Sequence, residues 1–243
     1  MLDLIPEHLR LFFVIGGLLM TLLLLGSLSQ KYEQYMAAKR LAVNRVMAGI
    51  TQIEAALEKT QIAGLPPGVA RLLRNELLAR YITIRQIYPK YPQLNQLIAQ
   101  AEEQARTEPE GSDSVNGAAI TTVAQLNRYI IGLSEVLALF NGQLLGRARS
   151  AADRKSSQIK LIDFQLMAAQ RFYTRIVTEY AQKGEWQAGL KSARSLDSFL
   201  LSKPKVSSLA TQLRNEAKVL VQAMTEHRLP GQAAQPALEQ QPA

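Results

Sequence analysis

Cysteine is absent from the 243 residues. That excludes disulfides, cysteine-ligated zinc, iron–sulfur clusters and thiol catalysis. Histidine is nearly absent: His8 and His227 stand near opposite ends, so they cannot form a multi-histidine metal site. A Ser-His-Asp arrangement on either would have to reach across from an end of the chain. Phosphate-binding loops, dinucleotide fingerprints and zinc-binding helix motifs do not occur. The Glu-x-x-His pattern of helical-bundle metal sites is missing as well. Glu102 and Glu103 are adjacent, and neighbours on a helix point about 100° apart, which suits solvated charges better than a catalytic dyad. Asp153 and Asp163 can share a face only on one continuous helix. No catalytic, cofactor-binding or metal-ligating residues are expected, and the chain reads as a non-enzyme without a cofactor. Convincing period-two strands are also lacking.

What the chain does contain is one early apolar run. Residues 11–28, LFFVIGGLLMTLLLLGSL, hold no charge. As a helix they span roughly 27 Å, close to the ~30 Å hydrocarbon core of a bilayer. Arg10 and Lys31 bracket the run and can snorkel to headgroups. Two alternatives stand beside a membrane span. One is a buried core helix, disfavoured because Leu18 to Leu25 is apolar all round apart from Thr21. The other is a cleaved signal peptide, since Ser27-Leu28-Ser29 has the small-x-small form of a cleavage site. Against cleavage, the first ten residues carry Asp3 and Glu7, and the run exceeds a typical signal core of ~7–15 residues. Gly17 and Thr21 form a small-xxx-small pair that permits helix contact and a homo-oligomer. Basic residues near the run are unequal: Arg10 on one side, Lys31, Lys39, Arg40 and Arg45 on the other. The positive-inside rule then places the body in the cytoplasm and residues 1–10 outside a bacterial-type inner membrane.

The remainder predicts helices throughout. The expected fold class is all-α: a single N-terminal transmembrane helix, an antiparallel bundle of helical hairpins, and a disordered tail. Met36, Val43, Val46, Ile50, Ile53 and Leu57 form one stripe at helical spacing. No strong breaker separates Leu28 from Ala63, so the apolar helix runs on into the body. Gly64-Leu-Pro-Pro-Gly68 ends it, and the short loop returns the next helix antiparallel. That helix starts near Pro67 and breaks at Tyr88-Pro-Lys-Tyr-Pro92; a further one runs from Gln93 to Arg106. Helical region 1 thus covers 29–106. Residues 107–118, TEPEGSDSVNGA, read as an acidic flexible linker. Helical region 2 covers 119–228. Within it, Gly146 to Gln158 is either a connector or a solvated part of one long helix. Lys183-Gly184-Glu185 reads as a turn, with a helix from Trp186 to Leu201 after it. Pro204 is expected in the first turn of a last helix ending near Arg228. Residues 229–243, with three Pro and four Gln, read as a disordered tail.

Two local patterns resemble known families. Tyr173 to Pro204 looks like one tetratricopeptide-type hairpin, with Tyr180 four before Gly184, Trp186 after the turn, and Gly189 and Ala193 as small packing residues. Such repeats need stacked neighbours, and no second copy is present. Tyr91-Pro92-Gln93-Leu94 and the group Arg171, Phe172, Tyr173, Val177 and Tyr180 resemble LemA-type proteins, which are membrane-anchored helical domains. Some eighty residues separate the two patches here, far more than in that family, and no function is carried over.

Basic excess is the remaining clue. The net charge is +8. Residues 31–107 hold eleven Lys and Arg against six acids, and residues 170–228 ten against five. Arg147, Arg149, Arg154 and Lys155 cluster between them. The plain reading is a solvated helical surface. The sharper one is contact with an anionic surface through Lys31, Lys39, Arg40, Arg45, Arg147, Arg149, Arg154 and Lys155. A cytoplasmic leaflet is the nearest such surface. Nucleic acid is a weaker candidate, because no readout motif is visible. The function expected first is a membrane-anchored helical scaffold or adaptor for protein partners; the alternative is a basic module binding anionic lipid or nucleic acid.

Overall fold

The computed structural model describes residues 7–107, 115–142 and 151–230, with the side chains of these from residue 15 onward apart from Ala151. All regular structure among them is helical, with no strand. Seven α-helices follow in order: α1 (Glu7–Thr60), α2 (Pro67–Ile87), α3 (Leu94–Arg106), α4 (Val123–Asn141), α5 (Ala151–Gln182), α6 (Trp186–Ser202) and α7 (Ser208–Thr225). A short 3-10 turn, Gly117–Ala119, precedes α4.

The absence of Pro and other strong breakers lets α1 run unbroken for 54 residues. Its two halves behave differently. From Val43 onward, Val43, Ile50, Ile53 and Ala56 are fully buried. Before that no residue from 15 to 42 is buried. Ile15, Leu18, Leu19, Met20, Leu22, Leu23, Leu24, Leu25 and Leu28 are all more than half exposed, on every side of the helix. Among the described residues no helix is long and apolar enough to cross a membrane. The described side chains of the apolar run begin at Ile15, and 15–28 alone extend about 21 Å, short of the ~30 Å hydrocarbon thickness. The spanning helix expected from residues 11–28 therefore rests on the sequence.

Chain reversals alternate helix direction. Gly64, at φ +81°, closes α1, and Pro67 sits in the first turn of α2, where its missing N–H costs nothing. Arg74 of α2 donates to the Gln104 and Thr107 carbonyls at the end of α3, so those two helices run antiparallel. α4 lies antiparallel on α1: Tyr129 Oη donates to the Gly64 carbonyl (2.8 Å), and Lys59 Nζ meets Glu135 at 2.5 Å. The α4 N-terminus carries a capping box between Thr122 and Gln125.

Two apolar cores result. The first unites α1, α2, α3, α4 and the face of α5 that carries Leu161, Phe164, Ala168 and Phe172. The second joins α5, α6 and α7. The boundary between cores thus runs along α5. Residues 108–114 and 143–150 lie outside the described residues, as does most of the expected tail, 231–243. At the end of the expected linker Val115 is completely buried and Gly117 is buried. Arg171 donates to the Val115 carbonyl and Arg175 Nη2 to that of Ile120 (2.5 Å), tying this peptide to α5. Of the stretch 146–158, residues 151–158 are helical, and Gln158 donates to Asn141 across the α4–α5 pair.

The expectation for Pro204 is corrected. Helix α7 begins at Ser208, because Ser207 supplies the N-cap: its Oγ accepts from the Ala210 N–H (3.2 Å) and donates to Asp163 on α5 (2.6 Å). The end of α6 is closed by Arg214, a buried guanidinium donating to the carbonyls of Leu200 and Lys203. Gly184, at φ +73°, makes the α5–α6 turn, and Gly189 lets α6 approach Met224 and Tyr180.

Gly132 on α4 sets the closest approach to α1. A Cβ there would stand 2.7 Å from Lys59 Cβ and 3.3 Å from the Lys59 backbone carbon, atoms that cannot swing aside. Gly132→Ala gains ~1 kcal/mol of helix propensity but meets an overpacking cost of about 1–3 kcal/mol. The net expectation is a lowered urea midpoint by far-UV circular dichroism, with a further fall for Gly132→Val.

Candidate anionic-surface contact

Register places the expected basic residues relative to one another. On α2, the Arg80 guanidinium presses on Gly49 of α1, and Tyr81 Oη donates to Glu54 at 3.0 Å. The end of α2 therefore lies level with α1 near residue 42. On α4, Leu139 lies opposite Gln52 and Ala55. On α5, Gln165 meets Ser134 and Gln158 meets Asn141, so the first turns of α5 project beyond the end of α4, back toward the apolar rod. Three separate segments thus share the end of the bundle that faces residues 15–28: α1 near Arg45, the α2–α3 corner, and the start of α5.

That end is strongly basic. Residues 34–49, 85–93, 136–142 and 151–158 contain seven cations, Lys39, Arg40, Arg45, Arg85, Lys90, Arg154 and Lys155, against one carboxylate, Asp153. Arg40, Arg45, Arg85, Lys90 and Lys155 are exposed; Lys39 and Arg154 are half-buried. Lys39 Nζ sits 4.5 Å above the Tyr35 ring, a cation–π contact that holds the ammonium against the helix. Arg154 Nε is buried and finds no hydrogen-bond partner among the described residues. Lys31 is exposed beside the rod itself. Elsewhere the signs alternate, as in Lys59–Glu135 and Arg128–Glu58 (2.6 Å).

Of the eight residues expected at an anionic surface, Arg45, Arg154 and Lys155 share the level of this end, on helices α1 and α5 that both pack on α4, with Lys39 and Arg40 just below on α1. Lys31 stands some 20 Å further down the helix axis. Arg147 and Arg149 lie outside the described residues. Arg85 and Lys90 join this basic end although no local charge cluster singles them out. Their signal was the helix lengths: alternating directions return the end of α2 to the level at which the bundle begins.

Other chemistry is sparse. Among the described residues no group of three His, Asp or Glu side chains could hold a metal ion. Glu102 and Glu103 are exposed on α3. Asp153 and Asp163 lie on one helix, ten residues and so about 15 Å apart, too far to act as a pair. His227 stacks on Trp186 at 5.4 Å, at the far end of the second core. An open groove of about 400 Å3 lies between α1 and α4, lined by Gln52, Ala55, Lys59, Glu135, Ala138 and Leu139.

Buried phenols give the body a pH signature. Burial, reinforced by the Glu54 carboxylate, pushes Tyr81 up to about 12. Burial raises Tyr129 as well. In the unfolded chain both titrate near 10. A raised folded pKa means the stabilising neutral form is fully held below pH ~10 and lost as pH climbs through the folded value. Stability to urea is expected to drop between pH 10 and 12, with a shallower drop in a Tyr81→Phe, Tyr129→Phe variant.

No protein-family model, no curated protein and no solved structure matches the chain. Neither the LemA-type nor the tetratricopeptide-type resemblance gains support from these comparisons.

Proposed function

We propose that this chain is a single-pass membrane-anchored helical adaptor, with residues 11–28 as the span and the bundle as the partner-binding body. The observation that carries this reading is the rod: nine large apolar side chains from Ile15 to Leu28 are exposed around the whole helix, while the same helix forms the first core some twenty residues on. Apolar surface of that extent on every side is tolerated in lipid and is an aggregation hazard in water. Lys31, Lys39, Arg40 and Arg45 against Arg10 favour a cytoplasmic body at a bacterial-type inner membrane. The adaptor role follows from confinement. A partner bound by a tethered bundle is held at high effective concentration beside the membrane. The open α1–α4 groove and exposed Ile131 and Val123 on α4 supply surface for a protein partner.

The test is fractionation joined to topology. The full chain is expected to stay in the membrane pellet through alkaline carbonate and to leave it only with detergent. A C-terminal fusion to a reporter active only in the cytoplasm is expected to be active. Release of the chain by cell breakage alone sinks the anchor; an inactive cytoplasmic reporter with an active exported one reverses the orientation.

A further inference from the structure

The end of the bundle nearest the apolar run carries seven cations against one carboxylate, and its distance from that run decides what the charge can do. Leu28 and Arg45 are seventeen residues apart on one helix, roughly 25 Å along its axis. The headgroup layer on each side is only about 5–8 Å thick, and exposed charges are screened over ~8 Å at physiological salt. With α1 upright, the basic end would hover beyond effective reach of the leaflet. Its cations, however, are not on the α1 axis. Arg85 and Lys90 sit on a neighbouring helix corner and Arg154 and Lys155 on the start of α5, each about one helix diameter or more to the side, ~10 Å. Tilting α1 swings one side of that end downward, and spanning helices commonly tilt by 0–40°.

We propose that the basic end formed by Arg45, Arg85, Lys90, Arg154 and Lys155 docks on anionic lipid headgroups, and that leaflet charge thereby sets the tilt of α1 and the height of the body. This rests on the anchor reading of residues 11–28. Charge complementarity and placement favour lipid over nucleic acid: the cations cover the end to which the rod is attached, where the leaflet is the surface within reach. Only Asp153 offsets them, and segments 136–142 of α4 and 85–93 of the corner contribute no acid. A bundle held flat against an anionic leaflet turns its α1–α4 groove differently from one standing clear of it, so lipid composition becomes an input to what the adaptor can bind.

The absence of native cysteine makes the test direct, because a single introduced thiol is the only labelling site. Gln86→Cys marks the basic end and Gln61→Cys the opposite end; both positions are exposed. The full chain, dye-labelled at one of these, is reconstituted into vesicles of phosphatidylcholine alone or with added phosphatidylglycerol, with an energy-transfer acceptor on the lipid headgroups. Transfer from position 86 is expected to rise with phosphatidylglycerol, by more than from position 61. The rise should disappear in ~0.5 M salt. It should also be lost in an R45Q/R85Q/K90Q/K155Q variant, whose four side chains are exposed and whose helix content should be unchanged. Transfer from 86 that ignores lipid charge, in a chain that withstands a carbonate wash, overturns the docking and leaves the anchor standing. A chain that washes off both kinds of vesicle overturns anchor and docking together. Insensitivity to lipid charge combined with binding of a duplex oligonucleotide that needs the same four charges overturns the docking in favour of a nucleic-acid surface.

Discussion

Replacing Phe172 with alanine should lower the free energy of unfolding by about 3–5 kcal/mol. A small domain has only about 5–15 kcal/mol in total, so much of the population would sit at the edge of unfolding. The size of the effect follows from position. Phe172 is completely buried in the first core, edge-on to Tyr173 at 5.3 Å, with the Arg175 guanidinium 5.7 Å from its ring centre. It lies on α5, whose buried residues contribute to both cores. Its neighbours Arg171 and Arg175 hold the peptide from Val115 to Ile120, so a cavity beneath them loosens that strap as well. Urea unfolding in detergent, followed by far-UV circular dichroism, measures the loss. Leu196→Ala, confined to the second core and completely buried there, is the comparison. If the shared helix makes one cooperative unit, both substitutions shift a single transition to lower urea. Two separable transitions, each moved by only one substitution, would mean that α5 does not couple the cores.

How much of this was legible beforehand differs by element. The stripe Val43, Val46, Ile50, Ile53, Leu57 has helical period, and the structure buries Val43, Ile50 and Ile53 with the other two half-buried. Gly64-Leu-Pro-Pro-Gly68 and Lys183-Gly184-Glu185 are breaks whose chemistry is local, and both turns fall there. Pro204 misled because a nearby serine with a tertiary partner, Asp163, made the better cap. The acidic composition of 107–118 gave no sign that Val115 would be buried, since a single apolar residue has no period. Arg80 and Arg214 have roles that no charge count reveals: one lies over a glycine of another helix and the other closes the end of the helix before its own. The candidate site is the clearest case. Charge counts along the chain single out Arg154 and Lys155 but not Arg85 and Lys90, because which helix ends meet is decided by register. Direction alternates with each short loop, so the information was present in the helix lengths rather than in any motif.

The largest effect on the proposed function is expected from two arginines in the rod. At the centre of a spanning helix leucine contributes about −0.3 to −0.6 kcal/mol and arginine costs about 2.5–3.5 kcal/mol, so each exchange costs ~3–4 kcal/mol. Leu19 and Leu23, one turn apart, share a face and are 55% and 72% exposed. Leu19→Arg with Leu23→Arg then removes about 6–8 kcal/mol of insertion free energy, or about four to six decades of partitioning. The body should not notice: both residues precede the first buried position, Val43, by twenty residues or more, and nothing in either core touches them. The expected result is a chain that moves from the carbonate-resistant pellet to the supernatant with its helix content and urea midpoint unchanged. Snorkelling does not rescue it, since positions 19 and 23 lie near the middle of 11–28, where headgroups are farthest away. An unchanged pellet would mean that the wild-type chain is held there by aggregation or by the body. In that case the exposed leucines meet protein, and the tether assigned to them belongs elsewhere.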